Sequence, residues 1–90
     1  MPATNWSVRV AGPAERSLAK QVPHRDRDRI LEAVDQMRQN PFAGDVVRLK
    51  DYPIAYRRRV GNWRILFDVD GDAHIVTVQA ILRRTSRTYS

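Results

Sequence analysis

The apolar positions of this chain change period three times along its length. Trp6, Val8 and Val10 alternate with Ser7 and Arg9, the two-residue period of a short strand, which ends at Gly12-Pro13. Pro13 suits the opening of a helix, and Ala14, Leu18 and Val22 recur at helical spacing before Pro23 interrupts the run. From Pro23 to about Gln39, Ile30, Leu31, Val34 and Met37 form one stripe, so two helices in a hairpin are expected rather than one long rod. Asn40-Pro41 stops the second helix, and Phe42 to Pro53 reads as an irregular segment pinned to the core by Phe42, Val46 and Leu49. The two-residue period then returns. Three runs rich in β-branched and aromatic residues, Ala55 to Val60, Trp63 to Asp70 and His74 to Leu82, are separated by the turn signals Gly61-Asn62 and Gly71-Asp72.

The expected fold class is therefore α+β: an N-terminal strand, a helical hairpin and a three-stranded antiparallel meander, in one domain over residues 1–90. The first strand can join either edge of the meander. A two-residue loop at Gly61-Asn62 sets Val60 opposite Trp63, Arg59 opposite Arg64 and Arg57 opposite Leu66, so Arg57, Arg59 and Arg64 share a face. The same rule at Gly71-Asp72 pairs Ala73 with Asp70 and Gln79 with Arg64. It places Ile75, Thr77, Gln79, Ile81 and Arg83 on the arginine face, and Tyr89 follows on that side. Trp63, Ile65, Phe67, Val69, Val76, Val78, Ala80 and Leu82 then form the wall against which both helices must pack, which leaves the basic face open. Arg58 emerges at the edge of the core side. Like charges opposite one another, as Arg59 and Arg64 would be, destabilise a sheet by up to about 1 kcal/mol, and a polyanion would relieve that repulsion.

Charge sharpens this picture. The 90 residues carry 16 Lys and Arg against 10 Asp and Glu, a net charge of +6, which makes nucleic acid, ribosomes or an acidic protein the natural partners. The absence of cysteine excludes disulfides and thiol catalysis. The start, Met-Pro-Ala-Thr-Asn-Trp, has no long apolar stretch, so neither a signal peptide nor a membrane span is expected, and a cytoplasmic location is the default. His24 and His74 have no ligand-spaced company, so no metal site or cofactor is indicated.

The stretch Leu49-Lys50-Asp51-Tyr52-Pro53-Ile54-Ala55-Tyr56-Arg57-Arg58-Arg59-Val60-Gly61-Asn62-Trp63-Arg64-Ile65-Leu66-Phe67 resembles the RelE/ParE superfamily of bacterial toxins. So does the ending Ile81-Leu82-Arg83-Arg84-Thr85-Ser86-Arg87-Thr88-Tyr89. The carrying pieces are a Tyr-basic-x-basic strand, an aromatic-Arg-Ile/Leu-x-aromatic strand and an Arg-x5-Tyr ending. The resemblance implies a RelE-like fold and a toxin held by a cognate antitoxin protein. The RelE branch, which carries the basic cluster and terminal tyrosine, cleaves messenger RNA on the ribosome. The ParE branch instead inhibits DNA gyrase, and a non-catalytic ribosome-binding module is the third reading. Carried over residue by residue, Arg57 and Arg59 stand where well-known members have lysines, Arg64 and Arg83 where they have arginines, and Tyr89 where they have their terminal tyrosine.

Metal-free cleavage of RNA needs a base for the ribose 2′-hydroxyl, positive charge on the pentavalent phosphorane and an acid for the leaving 5′-oxygen. Among these residues Tyr89 is the candidate base, because neighbouring cations stabilise a phenolate. Arg64 would clamp the scissile phosphate, and Arg83 would join it or sit by the leaving oxygen. Arg57 and Arg59 would act through charge and positioning, since guanidinium keeps its proton near neutral pH. Asp68, on the same face, is a secondary candidate whose expected role is an ion pair. Lys50, Arg84 and Arg87 are placed against the backbone of ribosomal RNA.

Overall fold

The structure is a computed structural model that describes residues 5–84. Its elements are β1 (Ser7–Val10), α1 (Gly12–Lys20), α2 (His24–Gln36), β2 (Val46–Arg48), β3 (Tyr56–Val60), β4 (Trp63–Asp70) and β5 (Ile75–Arg83). The five strands form one sheet in the order β1-β5-β4-β3-β2. β1 runs parallel to β5, and every other pair is antiparallel.

Both helices lie on one face of this sheet, as the distribution of apolar residues requires. Ala14 from α1, Ile30, Ala33 and Val34 from α2, and Met37 at the end of α2 close over Trp63, Ile65, Phe67, Val76, Val78 and Ile81, all buried. Leu31 is 45% exposed, one residue off the stripe, and Ala33 takes the expected place in the core. Pro23 caps α2 without continuing α1. Trp63 is buried, with its indole N–H donating to Asp26 Oδ2 at 3.1 Å, while Trp6 packs at the edge of the core. Among the described residues no helix is long and apolar enough to cross a membrane.

The segment expected to be irregular contributes a strand. Val46–Arg48 pairs with β3 as Val46↔Arg58, Val47↔Arg57 and Arg48↔Tyr56, and the ladder continues through Arg59 N–H to Asp45 C=O and Leu49 N–H to Ala55 C=O. Of the residues expected to pin this segment, Val46 packs on the core and Phe42 is 46% exposed, resting edge-on against Tyr56. Pro41 is the buried anchor beside it.

The β3–β4 register is the one counted from the sequence, with Gly61 at a φ of 57° in the two-residue turn. The β4–β5 register differs twice. Asp70 pairs with Ile75, so the loop spans residues 71–74, and Asp70 Oδ1 accepts hydrogen bonds from the N–H groups of Asp72 and Ala73, both at 3.1 Å. An aspartate that bonds its own following backbone favours this longer turn over a two-residue one. A bulge then follows: Phe67 faces Val78 and Leu66 faces Ala80, leaving Gln79 as the extra residue. Beyond it the alternation of faces is reversed.

Candidate functional site

The reversal decides where the candidate residues stand. Arg57, Arg59 and Arg64 share the helix-free face, as counted, with Arg59 directly opposite Arg64. Arg83 does not join them. It pairs with Trp63, and its guanidinium lies 5.7 Å from the Trp63 ring centroid, at the end of β5 on the helix side. Ile81 pairs with Ile65 in the core, while Leu82, 44% exposed, and Ala80 belong to the arginine face. The expectations for Arg83, Ile81, Ala80 and Leu82 are thus corrected by one inserted residue. Tyr89 and Arg87 lie outside the described residues. Arg84 is exposed at the end of β5, its N–H bonded to Asn62 C=O.

Arg57, Arg59 and Arg64 differ in their partners. Asp45, at the start of β2, accepts from Arg59 Nε and pairs with its Nη2, both at 2.9 Å, and lies 4.0 Å from Arg57 Nη2. One carboxylate therefore offsets part of the repulsion built into this face. Arg64 has no hydrogen-bond or ion-pair partner among the described residues, and its Nε is buried from solvent with its donor unused. A buried donor without an acceptor costs about 1–3 kcal/mol, so a movement of the Arg64 side chain that brought this donor to an anion would recover that cost; Arg58 Nε, on the other face, is left in the same state.

Arg58 is a structural residue. It points to the helix side, donating from Nη2 to Gln36 Oε1 at 2.7 Å and from Nη1 to Ala33 C=O at 3.3 Å, which satisfies a carbonyl in the last turn of α2. Burial draws its guanidinium below the ordinary arginine pKa. Gly44, at a φ of 86°, makes room for it, since a Cβ there would stand 2.8 Å from the guanidinium.

Beside Arg64 the face is hollow. A basin of about 180 Å³ is walled by Arg57 and Arg64, floored by Leu66 and Leu82, and rimmed by the Leu49, Lys50 and Tyr52 segment. Tyr52, 51% exposed, was not singled out in the sequence because nothing in its spacing ties it to the arginines. Its position comes from the turn that returns β2 to β3, where Asp51 has a φ of 54°. Asp68 lies on this face but forms no arginine pair among the described residues. Its Oδ1 accepts from Ala55 N–H at 2.8 Å and its Oδ2 from Gln79 Nε2 at 3.2 Å, tying the start of β3 to the bulge.

The histidines stand apart from the basin. His24 is exposed at the start of α2, and His74 sits in the β4–β5 turn, stacked on Trp6 at 4.5 Å with Nδ1 3.0 Å from Asn5 C=O. Among the described residues no group of three His, Asp or Glu side chains could hold a metal ion.

Known proteins of the same fold were found by structure. The RelE-RelB complex of Pyrococcus horikoshii OT3 matches with a TM-score of 0.80 and 21% identity, covering 93% of this chain and 99% of that one. The toxin-antitoxin complex RelBE2 of Mycobacterium tuberculosis matches with a TM-score of 0.76 and 23% identity, over 89% of this chain and 99% of its own. The RelB-RelE antitoxin-toxin complex of Methanococcus jannaschii matches at 0.67 and 29% identity, over 83% and 88%. No curated protein sequence matches the chain. The profile of the family described as ParE toxin of type II toxin-antitoxin system, parDE, matches residues 8–87. The chain thus belongs to the ParE toxin family of type II toxin-antitoxin systems, and with it to the RelE/ParE superfamily whose fold it shares.

Proposed function

We propose that this toxin is a ribosome-dependent messenger RNA endoribonuclease, acting from the helix-free face without a metal ion. The observation that carries the reading is Arg64: a guanidinium on an open basic face, without an acceptor among the described residues, opposite the paired Arg59. Such a group is suited to phosphate, which accepts two parallel hydrogen bonds from the arginine fork. Arg64 takes the scissile phosphate and offsets the charge that develops on it as the 2′-oxygen bonds to phosphorus and the P–O5′ bond breaks, leaving a 2′,3′-cyclic phosphate and a 5′-hydroxyl that takes its proton from solvent. Arg57 and Arg59 supply field and position. Arg83, approaching from the other side of the β5 end, meets the substrate at the edge of the sheet, and Tyr89 serves as the base. Lys50, at the basin rim, and the exposed Arg84 hold ribosomal RNA backbone, as would Arg87.

Three of the solved relatives are complexes with antitoxins. A cognate antitoxin, acidic enough to complement the net charge of +6, is accordingly the proposed protein partner, and the cytoplasm the proposed location. All of this is placed on one toxin domain. Primer extension on messenger from cells after brief induction tests the nuclease reading. Cuts within codons are expected from wild type and not from Arg64→Ala or Tyr89→Phe, and intact messenger with wild type would refute it.

The match to the ParE family favours a second reading, inhibition of DNA gyrase. It predicts DNA damage with uncut messenger, so the same induced cultures separate the two.

A further inference from the structure

The basin floor is not what anion binding alone requires. Leu66, 4% exposed, lies beneath it, and Leu82 and the ring of Tyr52 stand open to solvent at 44% and 51%. An apolar surface left exposed between two guanidinium groups fits a ligand whose flat apolar part and anion are joined at short range. A nucleotide is such a ligand. At about 180 Å³ the hollow is smaller than the roughly 300–1,000 Å³ of sites for whole drug-sized ligands, so it takes one ring system rather than an extended molecule.

The anion's position is set by the same residues. Arg64 pairs with Leu82 on β5 and precedes Leu66 by two residues on β4, so its side chain lines the same hollow as both floor side chains. A peptide would have to bring its carboxylate and its apolar group on separate residues, whereas a nucleotide joins base and phosphate through one sugar. The net charge of +6 complements the nucleotide chain as a whole.

We propose that this basin is a nucleobase slot, in which the base of the nucleotide whose phosphate meets Arg64 rests on Leu66 and Leu82 and stacks on Tyr52. Tyr52 is then a specificity-determining residue for RNA. The proposal deepens the nuclease reading and rests on it for the identity of the ligand, but the slot can be measured without a ribosome. Aromatic side chains hold single-stranded bases through their ring faces, and the hydroxyl is not needed for stacking.

The probe is an RNA trinucleotide carrying 2-aminopurine at its centre, titrated against the full chain at low salt, with an abasic trinucleotide as control. Wild type is expected to quench the fluorescence and to bind the base-containing probe more tightly than the abasic one. Tyr52→Ala should remove the quenching and weaken binding by roughly 5- to 150-fold, while leaving the abasic affinity unchanged. Tyr52→Phe should behave as wild type. The residue is half exposed in a loop, and equal thermal melts of the variants would exclude misfolding as the cause.

Equal affinity for the base-containing and abasic probes would overturn the slot, as would loss of quenching in Tyr52→Phe. So would a basin that ignores the trinucleotide but binds an acidic amphipathic peptide in a Tyr52-dependent manner. Quenching without messenger cleavage in cells would leave the slot standing and remove the nuclease reading. Cleavage without quenching would do the reverse.

Discussion

Arg57, Arg58 and Arg59 are chemically identical and adjacent, yet the pleat gives them different work, and replacing Arg58 and Arg59 separately exposes it. Arg58→Ala removes a 2.7 Å hydrogen bond to Gln36 and a longer one to Ala33 C=O, and takes away both the guanidinium that packs against Gly44 and its stem. A hydrogen bond from a charged donor contributes about 1.5–3 kcal/mol, so a loss of about 2–3 kcal/mol is expected with the weaker bond and the packing included. For a domain of this size each kcal/mol moves Tm by about 4–8 °C, giving a fall of roughly 10–20 °C. Arg59→Ala removes an ion pair whose partners are 41% and 45% exposed. That pair is worth about 0.2–1 kcal/mol, or at most about 8 °C. Thermal melts of both variants, with RNA affinity measured across a salt series, form the assay. Arg58→Ala should keep the wild-type salt slope, while Arg59→Ala should lower it by about one charge's worth, near 0.7 for single strands. Arg58→Met keeps the stem without the fork and separates packing from hydrogen bonding. An Arg58→Ala protein that melts like Arg59→Ala but loses RNA affinity would refute the division of labour.

The same geometry makes further predictions. Gly44→Ala combines a left-handed backbone with a Cβ placed 2.8 Å from the Arg58 guanidinium, and should cost about 1–3 kcal/mol in a urea titration. Adding Arg58→Ala should recover part of that loss by vacating the contested space, so the pair should be non-additive. Asp45→Asn frees Arg57 and Arg59 at a cost below about 1 kcal/mol and should tighten RNA binding at low salt, an effect read by filter binding and lost at high salt. Asp68→Asn retains an acceptor for Ala55 N–H and, with Gln79 turned over, a partner for Gln79, so it should keep both fold and cleavage. Loss of cleavage with an unchanged melt would make Asp68 a proton carrier instead of a tie.

What could be read in advance follows from how local each determinant is. The β3–β4 register depends on two residues, and a glycine at positive φ in a two-residue loop leaves the strands little choice. The helical hairpin was legible because Pro23 cannot continue a helix, and the position of Leu31 failed only by one step of the helical wheel. The β4–β5 register was not legible, because it turns on hydrogen bonds of side chains. Asp70 lengthens the turn by bonding Asp72 and Ala73, and Gln79 leaves the ladder to reach Asp68. Both residues also fit the simple alternation. β2 escaped notice for another reason: three residues between Gly44 and Pro53 have no periodicity of their own, and they become a strand by pairing with β3. Tyr52 reaches the basin only because that pairing folds its loop back.

The bulge at Gln79 also changes what the basic face can do. Had the alternation run on unbroken, Arg83 would have stood beside Arg59 and Arg64, adding a third guanidinium to a pair that already repels. With one residue inserted, Leu82 stands opposite Arg64 and Arg83 moves against Trp63, where the ring face offers it some attraction. The repulsion left on the open face is between Arg59 and Arg64, and Asp45 addresses only the Arg59 side of it. An incoming phosphate would therefore compete with a carboxylate for Arg59, whereas Arg64 has no protein partner among the described residues to displace. First contact at Arg64, with Arg59 recruited only as Asp45 gives way, is the order in which those two sites become available. On the nuclease reading proposed above, the apolar place that Leu82 fills beside Arg64 would make that first contact one with a base as well as a phosphate.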